Sequence, residues 1–470
     1  MASLLRSLLP ASAVQVLWAG ADPDGMAAEL GAAGLQVTVE AGGTAPLLTS
    51  PLPQPPPSQG GTHPPDPSFD AVVLPAGLDG DPAAQLAAAR ALLAEEGRLL
   101  LVTTADSARD LVVALSEAGF VVLRQESAQE STGAGREVLS ARPDPFVVRA
   151  YREGDEEAIL ALFRSSFHAD RTPERWRWEY RENPYGDLRV TEAFAPDGSL
   201  AAHYAGYPVY FSGSSGRFLA LQIGDTMTAA AFRHVGRGPT SLLGRSVRHF
   251  YARYCEGRVA FNYGFNTGNI QRFSMRFVRA ERLEDCPYRV RETALPLPEP
   301  RGLARLGWRV ERMRHFDARF DDLFARVRGA YGTLIERDAR YLEWRYATCP
   351  GTEYFAYALF RFGRLAGWSV FRQKGERLVW GDALIDPRHR HGLGLLLNRV
   401  LTLPEHRETR LIEGWLTTRP AWWDETVTAL GFERRPEPQE LGLVYVPFEH
   451  DPGEDFRQGL YYMWGDSDLF

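Results

Sequence analysis

Two stretches of this chain repeat one another about 165 residues apart, and that repetition constrains the fold more than any other feature. RWRWEYRENPYG at 175–186 and YLEWRYATCPG at 341–351 align Trp178 with Trp344, Tyr180 with Tyr346 and Pro184 with Pro350, and a pair of predicted strands follows each. An internal duplication is the economical reading. Residues 147–290 and 291–450 then form two copies of one α/β unit, with 301–328 as helical and linking sequence. The aromatic-rich residues 451–470 follow as a tail or a strand laid on the last domain.

Ahead of the repeats, residues 13–142 alternate short apolar strands (AVQVLWAG, LQVTVEAG, FDAVVLPAG, RLLLVTT) with helical stretches, a pattern that predicts a mainly parallel sheet. The last two segments, FVVLRQES and REVLSARP, predict an antiparallel hairpin at its edge. Nine prolines between 44 and 68 exclude helix or central strand there and mark an exposed insertion. Residues 1–143 are also a compositional unit, with 7 Lys+Arg against 16 Asp+Glu; the remainder holds 46 against 44.

Neither part has the clustered basic excess that phosphate neutralisation requires, so nucleic acid is not an expected partner. No apolar run reaches membrane-spanning length, and Arg6 and Pro10 interrupt the apolar opening segment, so a soluble, cytoplasmic protein with no membrane partner is expected. Cys255, Cys286 and Cys349 are too few and too scattered for a disulfide framework or a zinc site, and no metal is expected. No HExxH motif, GxxxxGK[ST] motif or Ser-His-Asp order is present, which removes the main support for zinc proteolysis, P-loop chemistry and nucleophilic hydrolysis.

The segment richest in chemistry is LQIGDTMTAAAFRHVGRGPTSLLGRSVRHFYARY, a strand, a glycine loop and a helix. Loop amides ahead of a helix N-terminus converge on one point, where the helix dipole also favours negative charge. Gly236 and Gly238 let the backbone approach a pyrophosphate, and Arg233 and Arg237 can add charge-assisted contacts. An ordinary tight strand-to-helix turn accounts for the same residues.

Arg233-His234-Val235-Gly236-Arg237-Gly238 resembles the acyl-CoA loop of the GNAT superfamily of N-acetyltransferases, Arg/Gln-x-x-Gly-x-Gly/Ala. FVVRAYREGDEEAILALFRSSF is similar to that family's first strand and helix, and VAFNYGFNTGN to its fifth strand and exit. The tandem arrangement is similar to the mycothiol synthase type. The resemblance implies a mixed-sheet α/β fold and transfer of an acetyl group from acetyl-CoA to an amine on a small molecule or peptide. It also implies backbone contacts to pantetheine from Thr226, Met227 and Thr228, pyrophosphate binding by Arg233 through Pro239, and hydrogen bonds to the donor from Asn266 and Asn269.

Acyl transfer to an amine needs a base for the attacking nitrogen and an acid for the leaving thiolate. Asp225 is the candidate base. The family's acid is a tyrosine seven residues beyond an Asn; counted from Asn269 that position is Arg276, leaving Tyr263, with Tyr254 as alternative, as candidate acid. His203, Tyr204, Trp176 and Trp178 suit either the acceptor groove or core and edge packing, and packing is the favoured reading. In the second copy, IDPRHRHGLGLLLNRV has Gly392 only two residues after Arg390, one short of the family spacing, so only the first copy is expected to bind acyl-CoA, with Trp415, Trp422 and Trp423 walling the groove.

The N-terminal unit resembles a Rossmann-like class I methyltransferase in strand order and terminal hairpin. Its glycine turn departs from that family, reading Gly20-Ala21-Asp22-Pro23-Asp24-Gly25, although Glu40 stands where a ribose-binding acid belongs. A degenerate structural or partner-binding domain is expected, with S-adenosylmethionine bound poorly. Two other functions fit the sequence: a noncatalytic acyl-CoA-binding or scaffold protein, and a bifunctional acetyltransferase/methyltransferase.

Overall fold

The computed structural model describes residues 1–13, 15–20, 25–40, 69–75, 78, 81–129, 135–448 and 451–470. The Pro-rich insertion at 44–68 and Ala21–Asp24 of the N-terminal glycine turn lie outside the described residues. The chain divides into two compact units. One comprises Met1–Ala169, Val190–Tyr204 and Thr226–Glu256; the other comprises Asp170–Arg189, Ala205–Asp225 and Gly257–Phe470.

The first unit opens with β1 (Gln15–Ala19), β2 (Gln36–Glu40), β3 (Phe69–Leu74), β4 (Leu93–Thr103), β5 (Phe120–Gln129) and β6 (Gly135–Pro143), in the order β2-β1-β3-β4-β6-β5. The first four strands are parallel, and β6 runs antiparallel to both β4 and β5. The hairpin thus lies at the edge, folded back so that its second strand joins β4. Consecutive residues of the central strands face opposite layers, as the two-residue period of a strand dictates. Leu17, Val72, Leu99 and Leu101 pack with Leu111 and Leu115 of the Ala105–Glu117 helix, whereas Val16, Trp18, Val73 and Leu100 pack with Leu5 and Leu8 of the Ala2–Leu8 helix.

β7 (Val147–Ala150) and β8 (Arg189–Phe194) form an antiparallel pair, against which the Leu242–Phe250 helix packs Leu242 onto Val148, Ala193 and Ala201. The polar side of that helix faces the acidic N-terminal sheet. Buried Arg245 donates to Asp144 Oδ1 at 2.9 Å and to Phe146 O at 3.0 Å. Arg248 donates to Val122 O and Gln125 Oε1, and His249, fully buried, lies 3.0 Å from Thr191 Oγ1 and 3.3 Å from Glu117 Oε1. Burial lowers the His249 pKa even against the pull of Glu117. Ala252, just beyond the helix, belongs to the same apolar cluster as Leu111 and Leu115.

β9 (Leu200–Gly213) and β10 (Gly216–Thr228) each run from one unit into the other. The second unit adds β11 (Phe261–Asn266), β12 (Glu281–Asp285), β13 (Tyr288–Glu292), β14 (Trp308–Met313), β15 (Leu334–Ile335), β16 (Phe355–Arg361), β17 (Arg364–Lys374), β18 (Arg377–Ile385), β19 (Leu411–Trp415), β20 (Glu433–Arg434) and β21 (Gly442–Pro447). β11 is parallel to β10 and antiparallel to β21, which also pairs with β12. The other sheet has the order β14-β16-β17-β18-β19-β13-β20, with β19 parallel to β18. β13 follows β12 in sequence yet joins the sheet of β19, while β21 follows β20 yet joins β11, so each sheet is completed by a strand from the far side of the chain.

Two expectations are corrected. Trp308–Met313, placed in linking sequence, is a strand, because all six of its residues pair with residues 356–361. The C-terminal stretch is core and not an appended tail: Tyr461 and Met463 are fully buried, and Arg345 donates to Gly465 O at 3.1 Å and Ser467 O at 2.8 Å.

The N-terminal sheet is therefore expected to support the Leu242–Phe250 helix. Arg245→Met leaves the Asp144 carboxylate buried without its guanidinium and should cost about 3–5 kcal/mol in urea unfolding; a wild-type midpoint would contradict this. Deletion of residues 1–143 should give an unstable, aggregating chain, and a soluble product with wild-type melting would show that the support is dispensable.

Candidate functional site

The loop after β10 is shaped by local contacts. Phe232 and Val235 rest on the cluster of Val148, Ala193, Ala201, Ala202 and Leu242, and Val235 N donates to Phe232 O at 3.0 Å. Gly236 and Gly238 have φ of 67° and 54°, the left-handed region that glycine adopts without penalty. A Cβ at Gly236 would sit 2.2 Å from Thr240 O, and one at Gly244 would sit 2.4 Å from Gly238 O, so neither position has room for a side chain. Ser241 caps the following helix: its Oγ accepts from Gly244 N at 3.1 Å and donates to Gly238 O at 2.6 Å. This cap leaves the first helical amides, on Leu242 and Leu243, for an outside acceptor. Arg233, His234 and Arg237 are exposed along the loop, with Arg233 Nε donating to Thr228 O at 3.2 Å. Thr226 and Thr228 are half-buried, Met227 is buried, and Pro239 is exposed in the short turn Gly238–Thr240. The arrangement can hold a compact, multiply charged anion. Ser241 and Gly244 were missed in the sequence, although a serine three residues ahead of a helical glycine in an apolar run is a readable cap signal.

The second unit contains a cluster of carboxylates. Arg171 pairs with Asp225 and with Glu179, whose Oε2 is 3.3 Å from its Nη1. Asp468 accepts from Gln222 Nε2 at 3.1 Å. A Cβ at Gly224 would lie 3.0 Å from both Asp468 Oδ2 and Tyr180 Oη, which places those two atoms over the same point of β10. Three carboxylates thus share one guanidinium. Burial disfavours the Arg171 cation, and the charges of Asp225 and Glu179 outweigh it and raise its pKa. Burial pushes Glu179 up, with Arg171 opposing; Asp468 is pushed up to about 7 by burial and then by the negative charges of Glu179 and Asp225. Asp225 has φ of 48°, a left-handed backbone inside a strand that a non-glycine residue adopts only under local constraint.

The remaining candidates are dispersed. Tyr263 is buried, its Oη donating to Asp466 O at 3.1 Å. Tyr254 reaches Val190 O at 3.4 Å. Asn266 is half-buried at the end of β11, and exposed Asn269 accepts from Arg272 in the Gly268–Phe277 helix. Burial decides for packing over the groove: His203, Trp176 and Trp178 are core residues, and Tyr204 packs edge-on against Phe250 at 5.0 Å. Trp178 and Trp344 are stacked 5.0 Å apart, and each indole donates to the other's carbonyl, Trp178 Nε1 to Trp344 O at 2.8 Å and Trp344 Nε1 to Trp178 O at 2.9 Å. Trp415 and Trp423 are likewise buried.

The turn Pro387–Gly392, which the sequence aligns with this loop, is packed against by its own chain. A Cβ at Gly392 would meet the Trp308 ring at 2.7 Å, and Pro298 O lies 1.8 Å from where a Cβ of Gly394 would stand.

Residues 147–276 match the family model described as an acetyltransferase (GNAT) domain. The fold is similar to that of a GCN5-related N-acetyltransferase from Anabaena variabilis, at 11% identity and a TM-score of 0.49, over 64% of this chain and 72% of that one. A GCN5-related N-acetyltransferase from Kribbella flavida is similar at 16% identity and a TM-score of 0.46, over 64% and 70%. N-myristoyltransferase of Saccharomyces cerevisiae, solved with myristoyl-CoA, is similar at 11% identity and a TM-score of 0.44, over 66% and 84%. Comparison with curated protein sequences finds no match. Among the described residues no helix is long and apolar enough to cross a membrane.

Proposed function

We propose that the chain is an acyl-CoA-dependent N-acetyltransferase acting on an amine. The observation that carries this reading is the loop Arg233–Pro239, whose Gly236 has no room for a side chain and which is followed by a cap that leaves the Leu242 and Leu243 amides for an anion. In this reading Thr226 to Thr228 offer backbone groups to pantetheine, the amides from Gly236 onward hold the pyrophosphate with Arg233 and Arg237, and Asn266 and Asn269 serve the same donor. The proton-accepting group comes from the carboxylate set that includes Asp225. Only the first copy binds donor, because Trp308 and Pro298 occupy the corresponding space in the second. The two copies descend from one duplicated unit, a reading supported by the reciprocal Trp178 and Trp344 contacts. The N-terminal sheet is a structural support that does not methylate.

A noncatalytic acyl-CoA binder is the second reading, favoured by Arg276 at the position of the usual acid and by the engagement of the Tyr263 hydroxyl with Asp466 O. Release of free CoA from acetyl-CoA in the presence of a panel of amines decides between them. Turnover supports the enzyme, and tight binding without turnover on acetyl-CoA or longer acyl-CoAs supports the binder.

Calorimetry is expected to give one acetyl-CoA per chain. Arg237→Glu, on an exposed residue, should weaken binding about tenfold or more with no change in melting, and Arg390→Glu in the second loop should leave it unaltered. Two sites per chain, or wild-type affinity in Arg237→Glu, would remove the assignment. Gly236→Ala should also weaken binding, but it distorts the loop against Thr240 O and so should lower melting.

A further inference from the structure

Among the three carboxylates of the second unit, two are committed. Asp225 is held by Arg171, and Glu179, at 2% exposure, lies against the same guanidinium. Asp468 accepts a hydrogen bond from the amide of Gln222 and is stabilised by the charge of Arg171, and it alone of the three is partly exposed. Opposite it stands Tyr180, 1% exposed, whose hydroxyl has no hydrogen-bond partner among the described residues, and the Gln222 Oε1 atom is likewise buried without one. Leaving a buried hydroxyl and amide oxygen unsatisfied is costly, so groups in this position await a polar ligand. The Tyr180 hydroxyl faces the spot over Gly224, where a Cβ would stand 3.0 Å from it and from Asp468 Oδ2.

We propose that Asp468 is the proton acceptor of the acyl transfer, its carboxylate receiving the acceptor amine as an ammonium ion between Tyr180 and the edge of β10. This rests on the acetyltransferase reading above. Three carboxylates against the one Arg171 guanidinium favour a cationic amine at this cluster, which makes protonated alkylamines, and not neutral hydroxyls or anilines, the acceptor class. One ammonium proton passes to the Asp468 carboxylate. The freed nitrogen lone pair forms the C–N bond to the thioester carbonyl carbon, the C–S bond breaks with its electron pair on sulfur, and the second nitrogen-bound proton ends on that sulfur as the CoA thiol. Asp468 then returns its proton to solvent. Asp225 is a positioning residue in this scheme: its charge, with that of Glu179, holds the Asp468 proton more tightly.

The groups facing Asp468 are Glu179, Tyr180 and Tyr207, Asp225 and Gln222 on β10, and Arg171. Of these the neighbouring carboxylates raise its pKa to about 7, after burial, whereas Arg171 and Gln222 lower it. The base works when deprotonated, so kcat/KM should rise with pH through a midpoint near that value.

The test measures kcat/KM against pH for full-length wild type, Asp468→Asn, Asp468→Glu and Asp225→Asn, using acetyl-CoA with a panel of alkylamines and anilines. Asp468→Asn keeps an oxygen for Gln222; it should lose about a hundredfold in turnover and the rising limb itself, with melting and acetyl-CoA affinity unchanged. Asp468→Glu should restore the limb in part. Asp225→Asn should keep the limb but move its midpoint to lower pH, because a negative neighbour is gone. A wild-type profile in Asp468→Asn, or loss of the limb in Asp225→Asn and not in Asp468→Asn, overturns the role of Asp468 alone. Absence of wild-type turnover on every amine overturns the acetyltransferase reading and this role with it.

Discussion

The reciprocal contact of Trp178 with Trp344 is the interaction on which the second unit's chemistry depends. Each indole closes a hydrogen bond on the other's backbone while the rings stack, so two short helical segments are fixed in both separation and rotation. The stacking contributes about 0.5–1.5 kcal/mol beyond area burial, and each hydrogen bond about 1 kcal/mol. The residues next in sequence inherit that precision. Glu179 and Tyr180 follow Trp178, and Arg345, which follows Trp344, holds the carbonyls of Gly465 and Ser467 and so fixes the segment that ends in Asp468. A structural pair thereby sets the spacing of charged groups that are far apart in the sequence.

The loop after β10 and the turn Pro387–Gly392 differ where backbone approach matters. In the loop after β10, positive φ at Gly236 and Gly238 and the close approach of Gly244 to Gly238 O compress the backbone onto the following helix. At the turn Pro387–Gly392, Trp308 stands against Gly392, and Pro298 O stands against Gly394 in the helix that follows. The sheet beside this turn is held by pairing elsewhere, by β18 with β19 and by β13 with β19.

Local patterns were legible in the sequence and long-range ones were not. The alternation of apolar strands and helices in residues 13–142, the edge hairpin and the glycine loop all follow from neighbouring residues, because strand period, turn chemistry and capping act over a few positions. The strand Trp308–Met313 was missed because its alternating apolar and charged residues also suit a helix end, and its partner Phe355–Arg361 decides the matter. The Arg171, Glu179, Asp225 and Asp468 cluster could not be read, since no periodicity relates an arginine, two acids and a fourth residue at the far terminus. His203, Trp176 and Trp178 left two readings open for a related reason: aromatic and imidazole side chains serve cores and grooves alike, and burial decides for the core.

The measurement that bears most directly on the account is a crystal structure of the full chain with acetyl-CoA bound. The predicted result is one molecule per chain, with its pyrophosphate oxygens within hydrogen-bonding distance of the Gly236 and Gly238 amides and of the first helical amides at Leu242 and Leu243. A pyrophosphate seated elsewhere, or on the Pro387–Gly392 turn, would contradict it.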